Sequence, residues 1–418
     1  MAEPGRIARI RKKYFSLHNR KKQVTIVILI LFVLGTLGAS IMFIVPGSNV
    51  SAGQEVYFNQ ANTYLSQAEY DSAIEELTEL INMSSDKVSE LVIESYRLRG
   101  LAYFMKEEYS SAAVDWLKYL EHVPNDAYIH YLLGSVYIIL DRDQEALGSF
   151  TMALHWNEKM VEAYMERSRL LFEGGNLTGA LMDLDNAVSI ASGDPQLYLN
   201  RGKVHLELGN NQEALGDFSM VIDLSQNHVE AYVYRGDIHL LLSDFNKAVQ
   251  DYSQVITMNK ENDLTIYCYK RRGIAYYYLK DNEAAVADWN TTLEHDPDDS
   301  ETYYLLGLAY SQLEDYKRSI EYFTKAIDLD LRYGDAYHQR ADAYSMLNQY
   351  DEAVKDYTKA IGLMQAGLDT VYFNRGVAYI NLNHRQLAVD DFEKATAITM
   401  DEDMAKAAEK ILSQLKNR

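Results

Sequence analysis

The sequence predicts an all-α protein: a solenoid of about ten stacked helix pairs closed by a C-terminal capping helix and preceded by one membrane-crossing helix. Three observations lead there. The chain repeats itself every 34 residues from Gln54 onward, residues 24–45 carry no charge, and the composition fits a folded protein without staples. With 48% hydrophobic residues, 5 Pro and 22 Gly in 418 residues, the chain is neither disordered nor collagen-like. A single Cys, Cys268, excludes an intramolecular disulfide framework and any metal cage built on several Cys. The net charge of −21 argues against nucleic acid as a partner, which would require a basic footprint.

The charge is unevenly spread. Before Gln23 stand Arg6, Arg9, Arg11, Lys12, Lys13, Arg20, Lys21 and Lys22 against the single acid Glu3, so the remainder is more negative than the whole. Residues 24–45, VTIVILILFVLGTLGASIMFIV, span roughly 33 Å as a helix, enough for a hydrocarbon core of about 30 Å. Basic residues before this run and acids after it place residues 1–23 in the cytoplasm and the body across the membrane. Val50-Ser51-Ala52 would suit a cleavage site, but the run exceeds the 7–15 residues of a signal-peptide core. Gly35 and Ala39 form a small-xxx-small pair through which two such helices can approach, which allows a homo-oligomer. Residues 46–53 form a linker that keeps the body within tens of ångströms of the bilayer.

Residues 54–402 hold the repeats. A small residue recurs at Ala61, Gly100, Gly134, Ser168, Gly202, Gly236, Gly273, Gly307, Ala341 and Gly376. Sixteen residues after each stands a large one: Leu77, Trp116, Phe150, Leu184, Phe218, Tyr252, Trp289, Phe323, Tyr357 and Phe392. An aromatic column lies four residues before the small one, from Tyr57 and Tyr96 to Tyr337 and Tyr372; another lies three after it, from Tyr64 and Tyr103 to Tyr344 and Tyr379. Apolar residues at helical spacing in two blocks, parted by breaks such as Gly174-Gly175-Asn176, describe an antiparallel helix pair. The small column lets the helices approach and the large column fills the space beside it. Neither helix buries its stripe alone, so the pairs must stack. Residues 403–418 read as one more amphipathic helix, with Met404, Ala407, Ala408, Ile411, Leu412 and Leu415 as its stripe.

These columns resemble the tetratricopeptide repeat family over nearly all of residues 54–402, with repeats starting at Gln54, Ile93, Ala127, Val161, Pro195, Val229, Ile266, Ser300, Gly334 and Asp369. The resemblance implies a right-handed α-solenoid whose first helices line a concave groove. The family's closing Pro survives only at Pro124 and Pro297.

One covariation is internal to the chain. Seven repeats carry Arg just before the small residue and Asp just before the large one: Arg99 with Asp115, Arg167 with Asp183, Arg201 with Asp217, Arg235 with Asp251, Arg272 with Asp288, Arg340 with Asp356 and Arg375 with Asp391. The other three lack both members, having Gln60 with Glu76, Leu133 with Ser149 and Leu306 with Tyr322. This predicts a structural ion pair, bidentate and within one repeat.

No phosphate loop, nucleophile elbow, metal helix or dinucleotide fingerprint occurs, so no catalytic residue, metal or cofactor is predicted and the chain reads as non-enzymatic. His205 and His239 occupy equivalent places in successive repeats but lack recurring Cys or carboxylate ligands. Asp141, Asp143 and Glu145, and Asp296, Asp298 and Asp299, look like calcium ligands only superficially and fall where helix caps belong. Asn49, Asn82, Asn176 and Asn290 open glycosylation sequons.

What remains is a surface. The resemblance places Arg97, Phe104, Met105, Tyr128, Tyr131, Ile138 and Ile139 in the groove of repeats two and three, and Tyr267, Lys270, Tyr277, Tyr278 and Tyr304 in that of repeats seven and eight. Lys270 holds a place used by the family's carboxylate clamp, but Ile274 stands where that clamp needs Asn. Aromatic patches rimmed by acids favour an apolar or basic peptide-like ligand. The expected function is a membrane-anchored scaffold for a protein or peptide partner, assisting assembly or secretion of an envelope complex. A regulatory subunit of a membrane enzyme acting on envelope polymers and a carbohydrate-binding module are the alternatives.

Overall fold

The computed structural model describes residues 52–83, 88–258 and 263–416. The basic tail, the apolar run of residues 24–45 with its Gly35 and Ala39, and linker residues 46–51 lie outside them. Among the described residues there are 21 helices and no strand. None of these helices is long and apolar enough to cross a membrane.

The chain divides into two units, ending and beginning at Ser225 and Gln226. The first holds five hairpins: α1 (Ala52–Ser66) with α2 (Tyr70–Asn82), α3 (Glu90–Met105) with α4 (Tyr109–Leu120), α5 (Ala127–Ile139) with α6 (Asp143–Trp156), α7 (Val161–Glu173) with α8 (Leu177–Ile190), and α9 (Pro195–Glu207) with α10 (Asn211–Leu224). The second holds α11 (Val229–Leu241) with α12 (Phe245–Met258), α13 (Asp263–Tyr278) with α14 (Asn282–His295), α15 (Ser300–Gln312) with α16 (Tyr316–Leu329), α17 (Gly334–Met346) with α18 (Tyr350–Leu363), α19 (Leu368–Asn381) with α20 (Arg385–Ile398), and finally α21 (Glu402–Lys416). Within each unit every helix packs on the one before and the one after it, which makes each unit an α-solenoid of its own.

All ten hairpins turn at the same place. Seven residues past the small residue the backbone is left-handed, at Ala68, Glu107, Asp141, Gly175, Gly209, Ser243, Lys280, Glu314, Asn348 and Asn383. The next N–H donates to a carbonyl five residues back, as from Arg142 to Tyr137 at 2.8 Å and from Asp315 to Tyr310 at 2.9 Å. That bond satisfies an orphan carbonyl and ends the first helix. The sequence marks this turn with glycine only at Gly175 and Gly209.

Helix contact is set by the small and large columns. Trp116, Phe150, Phe218, Tyr252, Trp289, Phe323, Tyr357 and Phe392 are all almost wholly buried. A Cβ placed on Gly134 would stand 2.7 Å from Cε1 of Phe150, so only glycine lets the helices close there. Where the small column carries a side chain, the large column shrinks to Leu77 opposite Ala61 and to Leu184 opposite Ser168, but keeps Tyr357 opposite Ala341.

The arginines tie this packing together. Arg375 donates from Nε to Oδ2 of Asp391 at 2.6 Å and from Nη2 to Oδ1 at 2.8 Å. The same fork joins Arg99 to Asp115, Arg167 to Asp183, Arg201 to Asp217, Arg235 to Asp251, Arg272 to Asp288 and Arg340 to Asp356. The third nitrogen leaves the hairpin. Nη1 of Arg99, Arg167, Arg272, Arg340 and Arg375 donates to a hydroxyl of the preceding hairpin, at Thr78, Thr151, Ser253, Thr324 and Thr358, over 2.8–3.0 Å. Nη1 of Arg201 reaches the Asp185 carboxylate at 2.9 Å. Tyrosines of the two aromatic columns cover the guanidinium faces, as Tyr96 and Tyr103 do for Arg99 at 5.7 and 5.9 Å. In the hairpin with Leu306 and Tyr322, tyrosines replace the pair: Tyr322 stacks on Tyr310 at 5.2 Å and 2°.

At the C-terminus Ala408, Ile411, Leu412 and Leu415 of α21 pack against Phe373, Tyr379 and Phe392. Met404 is half-buried beside Thr399, and Ala407 faces solvent, one residue off the stripe the sequence suggests.

Two outcomes follow from this packing. Arg375→Ala strands Asp391, a nearly buried carboxylate, and should cost about 3 kcal/mol in chemical denaturation; an unchanged midpoint would show the pair to be idle. Gly134→Ala should destabilise by about 1–3 kcal/mol through overpacking. Gly148→Ala, in a helix interior where a Cβ meets nothing within 4 Å, should stabilise by roughly 0.5–1 kcal/mol.

Candidate functional site

The inner-face positions of the first helices behave differently in the two units. In the first unit most are closed. Phe104 is buried, lying 6.0 Å from Trp116 and edge-on to Tyr109 at 5.5 Å. Tyr131 is buried 5.8 Å from Phe150, and Ile138 and Ile139 are buried in the same cluster. These four residues are therefore core and do not line a groove. The reason is the composition of α5, AYIHYLLGSVYII, whose apolar residues on every side are drawn against the large aromatics of their own and neighbouring hairpins. Met105 and Tyr128 remain half-buried. Arg97 is turned onto Glu94, with Nε 2.9 Å from both carboxylate oxygens. Further along, Arg169 is held by Glu166 at 2.8 Å and Glu173 at 3.2 Å.

In the second unit two of the candidates are committed to internal partners. Lys270 Nζ lies 2.6 Å from Asp299 and 2.8 Å from Glu301 on α15. Its attraction holds the Asp299 carboxyl below the usual range even though burial works the other way. Tyr267 donates its hydroxyl to both oxygens of Asp237, at 2.9 Å each. The others are open to varying degrees. Tyr278 is 52% exposed and stacks on Phe245 at 4.9 Å and 8°. Tyr277 sits edge-on to Tyr278 at 5.6 Å and 6.2 Å from Trp289. Tyr304 is half-buried between Phe323 at 5.6 Å and Tyr333 at 5.0 Å. Burial, and then the charges of Asp335 and Asp342, push the Tyr304 hydroxyl up, so it stays protonated and able to donate. Leu241 and Met346, which share the register of Tyr278 in their own hairpins, are also exposed. Asp335 is exposed as well.

The sequence reading missed a second internal covariation. Only two hairpins carry Tyr in the large column, at Tyr252 and Tyr357, and only those two carry Asp just after the small residue, at Asp237 and Asp342. Each tyrosine donates to its aspartate at 2.6 Å.

The two histidines stand in for Tyr beside the ion pairs. His205 Nε2 is 4.0 Å from Asp217, and His239 Nε2 is 4.0 Å from Asp251. Among the described residues no three His, Cys, Asp or Glu side chains gather where a metal could be held. Cys268 is buried, and its thiol is pushed well up by that burial. Asp299 caps α15, and Asp141 stands in a left-handed turn, so the calcium look-alikes serve helix ends. Asn176 caps α8, accepting from the Gly179 N–H.

Burial lowers the His239 imidazole below its ordinary pKa; Lys247 and Arg235 act in the same direction, and the Asp251 and Asp244 carboxylates oppose them. A depressed folded-state value means that His239 favours the fold above the unfolded value of about 6.5 and loses that contribution as pH falls. His239→Tyr should therefore flatten the drop in melting temperature between pH 7 and pH 5. A drop identical to that of the unaltered chain would contradict this.

Comparison with known proteins adds to the geometry. Sequence profiles described as tetratricopeptide repeat match residues 300–333 and 369–399, residues 334–365, and residues 58–127 and 199–262. A further profile, described as TPR repeat, matches residues 273–314. No curated protein matches the chain. Among solved structures, the C-terminal part of a TPR repeat-containing protein from Cytophaga hutchinsonii is 19% identical over 60% of this chain and 99% of its own, with a TM-score of 0.51. A tetratricopeptide repeat protein from Parabacteroides merdae is 23% identical over 60% of this chain and 98% of its own, with a TM-score of 0.47. Yeast Tom70 is 13% identical over 87% of this chain and 95% of its own, with a TM-score of 0.39. At 19% identity the Cytophaga likeness speaks for the fold.

Proposed function

Because this chain belongs to the tetratricopeptide repeat family, we propose that it is a membrane-anchored, non-catalytic scaffold that holds a segment of a partner protein against its inner helix faces. Proteins of this family are in general protein–protein interaction scaffolds. The observation that carries the reading here is the cluster of Tyr277, Tyr278 and Tyr304 on α13 and α15. It is an aromatic surface left partly open, whereas Phe104, Tyr131, Ile138 and Ile139 of the first unit close into core. Aromatic side chains supply large contact area at little cost in rotamer entropy, the property of binding hot spots.

The anchor is residues 24–45, with the N-terminus cytoplasmic and the repeats on the far side. The uncharged length and the eight basic residues that precede it support this arrangement. Held close to the bilayer by a short linker, the repeats would meet partners that are themselves membrane-bound, which suits assembly or secretion of an envelope complex.

Crosslinking in intact membranes followed by mass spectrometry tests the scaffold. The full chain should capture one or a few proteins reproducibly, and Tyr278→Ala with Tyr304→Ala should reduce capture about tenfold. Undiminished capture by that variant would remove the surface from the account. Protease added from the cytoplasmic side should leave the repeats intact; their digestion would reverse the assigned sidedness.

A further inference from the structure

The two aspartates that follow a small residue start from the same local design and end differently. Asp237 is closed. It accepts from the Tyr252 and Tyr267 hydroxyls, and the Arg271 guanidinium of the next hairpin lies against it, Nε to Oδ1 at 3.4 Å. Its side chain is 1% exposed. Asp342 accepts from the Tyr357 hydroxyl at 2.6 Å, as Asp237 does from Tyr252. In the next hairpin, however, Asn374 stands at the register of Arg271 and Thr370 at that of Tyr267. Asn374 gives one neutral hydrogen bond of 3.0 Å to Oδ1. Among the described residues no arginine reaches this carboxylate, and its side chain is 34% exposed.

Asp342 shares its helix face with a second acid and a histidine. Asp335 and His338 lie on the same face of α17, three and four residues apart in succession from Asp342. His338 Nε2 is 3.5 Å from Oδ2 of Asp342, yet buried without a hydrogen-bond partner. Tyr304 of α15 lies within the field of both carboxylates. A planar cation at Oδ2 would find a carboxylate to accept from it, as Arg271 finds at Asp237.

We propose that Asp342, with Asp335, Tyr304 and His338, is a receptor for the guanidinium of an arginine on the partner, which takes the place that Arg271 fills internally at Asp237. The inference rests on the reading of the chain as a partner-binding scaffold and adds the chemistry the partner must present. The neutral isostere citrulline, which keeps shape but loses charge, is the ligand such a site would reject.

The test uses the full chain and a fluorescently labelled, end-capped octapeptide of alternating arginine and alanine, with its citrulline counterpart, read by anisotropy in about 150 mM salt to screen general attraction to an acidic protein. The arginine peptide should bind and the citrulline peptide should not. Asp342→Asn should weaken binding roughly tenfold, and Asn374→Arg, which supplies the cation from within, should do the same while keeping or raising the melting temperature. Glu352→Gln, the same charge change at an exposed position on α18, should leave binding unaltered. Equal binding of both peptides, or an Asp342→Asn effect no larger than that of Glu352→Gln, would overturn the proposal. So would Asn374→Arg binding as tightly as the unaltered chain. If crosslinked partners persist in a chain that shows no such arginine preference, the scaffold stands and this site falls. An arginine preference without any captured partner supports the site and counts against the scaffold.

Discussion

A guanidinium has five N–H donors in one plane, and this chain uses both ends of that fork. Nε and Nη2 lock the carboxylate of the same hairpin, which sets how its two helices meet. Nη1 points the other way and bonds the preceding hairpin. One side chain therefore fixes both the shape of a repeat and its seating on its neighbour. Lysine offers a single point charge on a flexible stem and cannot hold two carboxylate oxygens and a hydroxyl at once. The faces of the plane are not wasted, since the Tyr columns lie within cation–π distance of them, which explains part of the unusual count of 33 tyrosines. Burial of Asp115 and Asp288 raises their carboxyls above the usual range even against their arginines, so the polar tie sits in a desolvated place where breaking it is costly.

Given that frame, function is left to the residues the frame does not consume. In the first unit the inner positions of α5 are apolar and collapse into the core. In the second, polar inner positions divide into those satisfied from within, such as Lys270 between Asp299 and Glu301, and those only half satisfied, such as Asp342. The contrast between Asp237 and Asp342 has weight because the two share a register, a tyrosine partner and a fold. The difference lies in two residues of the following hairpin, Arg271 and Tyr267 against Asn374 and Thr370.

The repeat period, the small and large columns and the Arg–Asp covariation were legible because each is a rule applied many times, and packing admits few side chains at each place. The turn was less legible. The left-handed position carries glycine in only two hairpins, because the hydrogen bonds of the motif hold residues such as Glu107 and Lys280 there regardless. The groove was least legible. Phe104 and Tyr131 turn from solvent onto the large aromatics of their own hairpins, Trp116 and Phe150, and the partners of Lys270 are 29 and 31 residues away. The cross-repeat bond of six of these arginines was hidden for another reason. Its acceptor is Thr, Ser or Asp, an acceptor class shared by three residue types, so no single letter recurs in the column.

The claim that one arginine joins two hairpins is tested most directly by a double-mutant cycle on Arg340 and Thr324, measured by equilibrium denaturation. The account predicts that Thr324→Val costs about 1 kcal/mol in the unaltered chain and close to nothing once Arg340 is alanine. An equal cost in both backgrounds would mean that the hydrogen bond across the repeat boundary contributes nothing.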